Sequence, residues 1–195
     1  MWDQKYASED YLYGKNPNRF FSEFLAISSP GHLLLPGEGE GRNGVYAALQ
    51  GWQVDAFDTS KVGRRKALNF ASAKNVNLNY RTEGYLTFET NEKYDLIGLF
   101  YTHMPVDMRL EFHQKIPGWL KKGGIVIMEV FDKKQLKRNS GGPKSLDLLY
   151  REMDLLKDFN GLSVVKSETV TVNLNEGRGH EGEAKVIRLI LKKEN

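Results

Sequence analysis

Three glycines at alternate positions, Gly37, Gly39 and Gly41, interleaved with Glu38 and Glu40, are the densest chemical signal in this 195-residue chain. They follow the apolar run Leu33-Leu34-Leu35 and precede Val45-Tyr46-Ala47-Ala48-Leu49, so the stretch reads as strand, tight turn and helix. Glycines cluster where a backbone must take a positive φ or come within contact distance of a bound molecule. The stretch therefore reads as a nucleotide-type cofactor loop, and two cofactors compete for it. Gly39-x-Gly41-x-x-Gly44, with Asp58 lying 19 residues beyond Gly39, satisfies the dinucleotide fingerprint and its ribose-binding carboxylate. Against that, Glu38 and Glu40 would repel a pyrophosphate, whereas S-adenosylmethionine has no phosphate and carries an ammonium and a sulfonium. The charge pattern favours a methyl donor over an NAD-type cofactor. A glycine turn with two solvated glutamates is the non-functional reading.

Other residues gather around that loop. Gln53 to Asp58 alternates as a strand and delivers Asp58 to its carboxyl end, placed to accept both ribose hydroxyls of an adenosine. The segment Arg81-Thr82-Glu83-Gly84-Tyr85 follows a strand expected over Val76 to Tyr80 and lies where an adenine would sit. Tyr94 to Tyr101 is nearly continuous apolar sequence, as a strand buried on both faces requires, and it ends in Thr102-His103-Met104-Pro105. His103 thus stands at a strand end facing the expected pocket, available as a base if an acceptor must lose a proton. Tyr11 and Tyr13 are candidates for a lid, since aromatic faces stabilise a sulfonium.

Around these residues the elements follow in order. Residues 1–31 hold 7 of the 22 aromatics and form an N-terminal aromatic lid segment, with Asn18 capping a helix from Arg19 to Ile27; residues 32–195 form the core of a single domain. Helices are expected over Asn43 to Gln50, over Lys61 to Ala73 with Ser60 as its cap, from Pro105 through Arg109 and Phe112, and from Pro143 to Phe159. Gly123 to Phe131 is the fifth strand. Leu162 to Leu174 and Glu183 to Lys192 close the chain as a hairpin around Asn175 to Gly182. The fold class is α/β, a mostly parallel sheet between helices with a terminal antiparallel pair that a dinucleotide domain of this size would not carry.

Composition excludes several classes. The chain has no cysteine, which removes disulfides, thiolate catalysis and cysteine metal sites, and its 4 histidines are too scattered for a zinc site, so no metal is expected. A net charge of +3 argues for no nucleic-acid partner, and the basic run Lys133, Lys134, Lys137 and Arg138 reads as a hydrated surface or a site for an acidic substrate. No apolar segment is long enough to span a membrane, and Met1 to Lys5 lacks the core of a signal peptide, so a cytoplasmic protein with no membrane partner is expected, monomer or homodimer.

With those residues in place, the chain resembles the class I S-adenosylmethionine-dependent methyltransferases, and more narrowly the small bacterial group similar to tellurite-resistance and thiopurine methyltransferases. The likeness rests on Trp2-Asp3, Tyr11 to Gly14, Gly37 to Asn43, Asp58 with Ser60, His103-Met104-Pro105, Leu120 to Gly124, Gly141-Gly142-Pro143, and Glu176-Gly177 with His180. It implies a Rossmann-like sheet of seven strands, S-adenosyl-L-methionine as cofactor, and in-line methyl transfer to a small molecule such as a thiol or metalloid oxyanion. The cofactor set it implies is Gly37, Glu38, Gly39, Gly41, Asp58, Thr59, Ser60, Thr82, Glu83, Gly84 and Tyr101. Tyr11, Tyr13, Arg42, Arg109 and His180 fall on the acceptor and lid side, and His103 is the candidate catalytic residue. Two positions depart from the group's pattern: Leu35 stands where an acid helps bind the methionine ammonium, a role Glu38 is expected to assume, and Thr82 stands where an aspartate faces the adenine. The remaining alternatives are an NAD-type oxidoreductase and a protein that binds an adenosine cofactor without catalysis.

Overall fold

The computed structural model describes residues 1–194. In chain order the elements are α1 (Trp2–Lys5), α2 (Arg19–Leu25), β1 (His32–Pro36), α3 (Arg42–Leu49), β2 (Gln53–Asp58), α4 (Lys61–Ala73), β3 (Asn79–Thr82), β4 (Tyr94–Phe100), α5 (Val106–Trp119), β5 (Leu120–Phe131), α6 (Glu152–Asp158), β6 (Ser163–Glu176) and β7 (His180–Lys192). The seven strands form one sheet in the order β3-β2-β1-β4-β5-β7-β6. Pairing is parallel through β5, and β7 enters antiparallel to both β5 and β6. Strand order reverses between β1 and β4, so the crevice at their carboxyl ends is where an open sheet of this kind takes a ligand.

The period of two explains why the strands are buried on both sides. Leu34, Ile97, Val126 and Met128 face a core shared with Phe112, Ile116 and Trp119 of α5 and Leu155 of α6. Leu33, Leu35, Leu96 and Ile127 face the opposite core, with Phe21 of α2, Val45 and Ala47 of α3, and Ala67 and Phe70 of α4. Two helix starts are capped as their sequences predict: Asn18 Oδ1 accepts from Phe21 N at 3.0 Å, and Ser60 Oγ accepts from Gly63 N at 2.9 Å.

Three expectations shift. The third strand runs Asn79–Thr82 rather than from Val76, because Asp58 pairs with Thr82 and sets the register. Residues 143–159 are not one helix: a 3-10 turn at Leu146–Leu148 precedes α6, and extended backbone at Leu149 and Arg151 separates them. The hairpin strands extend through most of the expected loop to a tight turn at Gly177, which takes φ +65°.

Arg109 is corrected as well. It lies on α5 as a buried residue, and its guanidinium is committed to Asp158 of α6, Nε to Oδ2 at 2.7 Å and Nη2 to Oδ1 at 3.2 Å, over the Tyr150 ring. His113 Nδ1 meets the same Oδ2 at 2.8 Å. The cluster clamps α5 to α6 rather than reaching a ligand. Truncating one partner of a buried pair strands the other charge, so Asp158→Ala should cost about 3–5 kcal/mol. For a chain of this size that corresponds to a melting temperature lowered by roughly 6–20 °C in calorimetry, and a shift below about 2 °C would contradict the clamp.

Candidate active site

The turn after β1 is built from backbone that no side chain could occupy. Gly37, Gly39 and Gly41 take φ of +65°, +61° and +89°. A Cβ on Gly41 would stand 2.6 Å from the Ala67 Cβ, one on Gly39 would stand 2.6 Å from Tyr6 Oη, and one on Gly37 would collide with Tyr85 Oη. Four of the turn's amides are spent internally. Gly37 N and Glu38 N both donate to Phe57 O (2.7 and 3.2 Å), Gly39 N to Asp58 Oδ2 (3.2 Å), and Gly41 N to Glu38 O (3.3 Å). A pyrophosphate site needs those donors free.

The two glutamates act differently from the expectation that they greet a cationic ligand. Glu38 Oε1 accepts from Gly44 N at 2.6 Å and so caps the first turn of α3, where the helix dipole favours an anion. Burial pushes its carboxyl up to about 7, against hydrogen bonds from Gly44 and Asn43 and the nearby Arg42 charge. Glu40 accepts from Leu12 N at 2.7 Å and pairs with Lys66 Nζ at 2.5 Å, which ties the N-terminal strap down onto α4. Both oxygens of Glu40 are engaged within the fold, and Glu38 gives Oε1 to the start of α3. The dinucleotide reading is disfavoured by spent amides rather than by repulsion.

Asp58 stands at the end of β2 with Oδ1 accepting from Ser60 N at 2.8 Å and Oδ2 from Gly39 N. Burial raises its carboxyl above the usual range, and those two N–H groups oppose the shift. The neighbouring strand end joins it: Glu83 N donates to Asp58 O at 3.0 Å, and a Cβ on Gly84 would lie 3.6 Å from Thr59 Cγ2. The loop, Asp58, Thr59 and Thr82 to Gly84 therefore converge on one edge. Ser60 is corrected to a structural role, since its hydroxyl caps α4 and donates to Asp3 Oδ1 at 2.5 Å. Glu83 shares Oε1 with Arg81 at 2.6–2.8 Å, whereas its Oε2 is buried without a partner among the described residues, as is Thr102 Oγ1 beside Gly37. Tyr85 and Tyr6 pack on the glycines from one side, and the carboxylate of Asp58 at the adjoining strand end is the group whose chemistry fits the ribose of an adenosine-bearing ligand.

The strap closes one side. Tyr11 is an anchor rather than a cover: its hydroxyl donates to Lys66 O at 2.9 Å and its ring meets Phe70 edge-on. Tyr13 reaches further, its ring 4.4 Å from that of His180 beside the turn of the terminal hairpin. Gly179 N donates to Leu12 O at 3.1 Å, so strap and hairpin meet over the edge.

Behind them lies a buried polar network that joins Arg42, Tyr101 and His180, each expected near the site, through Glu176 and Glu129. Arg42 Nη2 donates to Glu176 Oε2 at 3.1 Å, and His180 Nδ1 lies 3.0 Å from the same oxygen. Burial pushes the Glu176 carboxyl up, but the His180 N–H and the Arg42 charge outweigh it and hold it at about 2. His180 is lowered, chiefly by burial, so it is a neutral ring whose Nδ1–H is held by a carboxylate and whose Nε2 carries the lone pair. Glu129 accepts from Asn18 Nδ2 at 2.6 Å and Tyr101 Oη at 2.9 Å through Oε1, and from Arg188 Nε at 2.6 Å through Oε2. Tyr101, half-buried just after β4, holds φ +55° and lays its ring 4.3 Å from His180. Strain of that kind in a non-glycine residue concentrates at functional sites. Tyr6 and Tyr85 lie in stretches the sequence places near the site, but their packing on Gly39 and Gly37 carries no periodic signal in those irregular segments.

His103 is a structural residue in this arrangement. Its Nδ1 donates to Leu148 O at 2.7 Å and its Nε2 accepts from Phe131 N at 3.2 Å, which leaves no lone pair for a substrate proton. Burial pushes its pKa down to about 3. The unfolded ring titrates near 6.5, so the unfolded chain binds the extra proton and stability falls as pH drops from about 6.5 toward 3. The expected slope from this ring is about 1.4 kcal/mol per pH unit. Urea unfolding from pH 7 to 4.5 should show it, and His103→Leu, though less stable throughout, should have a slope shallower by about one proton. Equal slopes would place His103 in a hydrated setting.

The sequence model of the family described as tellurite resistance protein TehB matches residues 3–118. A comparison with curated proteins returned no match. Among solved structures, the chain is similar to the N-methyltransferase NodS from Bradyrhizobium japonicum WM9 in complex with S-adenosyl-L-homocysteine, at TM-score 0.76 and 14% identity, covering 100% of this chain and 97% of that one. It is similar to TehB from Haemophilus influenzae at TM-score 0.75 and 16% identity, covering 98% of this chain and 65% of the other. A third, described under conversion of a disulfide bond into a thioacetal group during echinomycin biosynthesis, aligns at TM-score 0.81 and 13% identity over 100% of this chain and 91% of that one. The chain has the fold of the class I S-adenosylmethionine-dependent methyltransferases and belongs to the TehB family of tellurite resistance proteins.

Proposed function

We propose that the protein binds S-adenosylmethionine across the glycine turn and transfers its methyl group to a small, soft nucleophile, a thiol or metalloid oxyanion. The observation that carries this reading is the turn itself: glycine backbone with spent amides, flanked by Asp58, suits an uncharged ribose and a cationic sulfonium and offers no anion nest. Family membership supports the metalloid branch of the acceptor class.

When bound, the methyl donor supplies an electrophilic carbon on a sulfonium, so the chain's residues need only align, shield and, for some acceptors, deprotonate. Asp58 holds the ribose, and Thr59 with Thr82 to Gly84 borders the adenine. Alignment of donor and acceptor can lower the barrier by roughly 7–11 kcal/mol. Tyr13, Tyr101 and His180 form an aromatic wall under the strap, which excludes water from the transfer. Where the acceptor carries a proton, His180 Nε2 takes it, with Glu176 holding Nδ1–H and stabilising the imidazolium that results. Arg42 stays paired to Glu176 and keeps that carboxylate ionised. Acceptors already anionic use the same wall without the proton step.

Three outcomes test the proposal. Asp58→Asn should weaken binding of S-adenosylhomocysteine by about 1–3 kcal/mol in calorimetry, the usual cost of losing charged hydrogen bonds, and unchanged affinity would remove Asp58 from the site. His180→Ala should slow transfer to a protonated thiol by about 10²–10⁴-fold while leaving S-adenosylhomocysteine affinity in place. A screen with labelled donor over thiols, metalloid oxyanions, amines and carboxylic acids should label the first two classes. Labelling of amines alone would overturn the acceptor assignment, and a melting shift with donor but no product from any class would favour the non-catalytic binder.

A further inference from the structure

The basic segment that follows β5 has no part in the chemistry above. Residues 132–150 hold Lys133, Lys134, Lys137, Arg138 and Lys144 against Asp132 and Asp147, an excess of three positive charges that equals the net +3 of the whole chain. The remainder of the chain is therefore balanced, and the charge is concentrated in one place. Of the acids nearby, Asp132 caps the 3-10 turn Lys133–Lys137 by accepting from Lys134 N at 2.8 Å, and Asp147 and Glu181 are exposed. Among the described residues, Arg138 alone of the five cations is paired with an acid, Glu183 of β7. Lys134, Lys137 and Lys144 are exposed.

The fold pins this segment against the aromatic wall. Gln135, buried within the 3-10 turn, donates to Ser140 Oγ at 2.9 Å and to Gly141 O at 3.0 Å, and accepts from Lys185 N of β7 at 2.8 Å. Gly141 lies so close to His180 that a Cβ would stand 2.6 Å from its Cδ2, and a Cβ on Gly142 would stand 2.7 Å from Phe131 Cδ2. The Phe131 ring in turn lies 5.2 Å from that of His180 and 4.8 Å from that of Tyr101. The four lysines thus stand within eight residues of the glycine that lies on His180. A concentration of one sign of charge acts over about a Debye length, roughly 8 Å at physiological ionic strength, and raises the local concentration and capture rate of opposite charge by about 10–10³-fold. We infer that the segment 133–144 steers the methyl acceptor to the wall, and selects one that carries a fixed negative charge beside its nucleophilic atom over a neutral one with the same nucleophile. This deepens the soft-nucleophile reading above and rests on it.

Two thiols on the same two-carbon chain separate charge from nucleophile: 2-mercaptoethanesulfonate, which is anionic, and 2-mercaptoethanol, which is neutral. With labelled donor and the full chain, the sulfonate should show the higher kcat/KM at low salt and lose that advantage as salt rises, while the alcohol changes little. Lys133→Gln, Lys134→Gln and Lys137→Gln together should raise KM for the sulfonate by about tenfold at unchanged kcat and leave the alcohol unaffected, and Lys133→Arg, Lys134→Arg and Lys137→Arg should behave as wild type. Binding of S-adenosylhomocysteine reports that the variant is folded, and Lys134→Gln with Lys137→Gln, both at exposed positions, replaces the triple variant if it is not. Equal kcat/KM for the two thiols in wild type, or a KM for the sulfonate that the glutamines do not move, would overturn the steering role. A chain that methylates only a metalloid oxyanion is tested on that anion's KM in the same variants, and transfer to neither class would instead overturn the soft-nucleophile reading.

Discussion

The constraint on which the rest of this structure depends is that the turn after β1 has no room for a side chain at its three glycines and has the amides of Gly37, Glu38, Gly39 and Gly41 already engaged. Positive φ at Gly37, Gly39 and Gly41 lets the backbone fold back so that its N–H groups reach Phe57 O, Asp58 and Glu38. The neighbours then press directly on main chain: Ala67 against Gly41, Tyr6 against Gly39, Tyr85 against Gly37. Asp58 closes β2 at this edge, where Glu83 Oε2 and Thr102 Oγ1 are buried without partners among the described residues. Amides engaged inside the fold are the opposite of what a diphosphate requires.

The same constraint explains how a strap with little secondary structure is kept in place. Only four residues of it are helical before α2, yet Glu40 receives Leu12 N, Lys66 reaches Ser8 O and Asp10 O at 2.8 and 2.7 Å, and Asn18 bridges Asn43 and Glu129. Each buried charge in this region has a partner, Glu40 with Lys66, Glu176 with Arg42 and Glu129 with Arg188. Such pairs add little net stability against apolar replacements, since desolvation offsets most of the attraction. Their effect is geometric: they hold strap, turn and hairpin at one edge and leave His180 with one nitrogen fixed and one available.

The departures from expectation share a physical origin. Glu38, Ser60, Tyr11, Arg109 and His103 all have the chemistry expected of a site, and each is engaged by the fold, as cap of α3, cap of α4 and tether to α1, strap anchor, helix clamp or backbone brace. Residue type tells what a side chain can do. Its availability depends on what surrounds it, and the part played by Tyr6, Tyr85 and Glu129 is set by contacts that only the fold supplies.

By itself the sequence determined the fold class, the five strands before the terminal hairpin, the capped starts of two helices, the glycine turn and the carboxylate at the end of β2. These follow from signals within a few residues of one another: alternation of apolar side chains, glycine at positive φ, and an oxygen one helical turn from an amide. The tertiary structure alone decided which polar groups remain free. Arg42 meets Glu176 across 134 residues, Asn18 meets Glu129 across 111, and His103 meets Leu148 across 45. A hydrogen bond satisfies a donor once, and its partner here is supplied by chain topology, which local pattern does not carry.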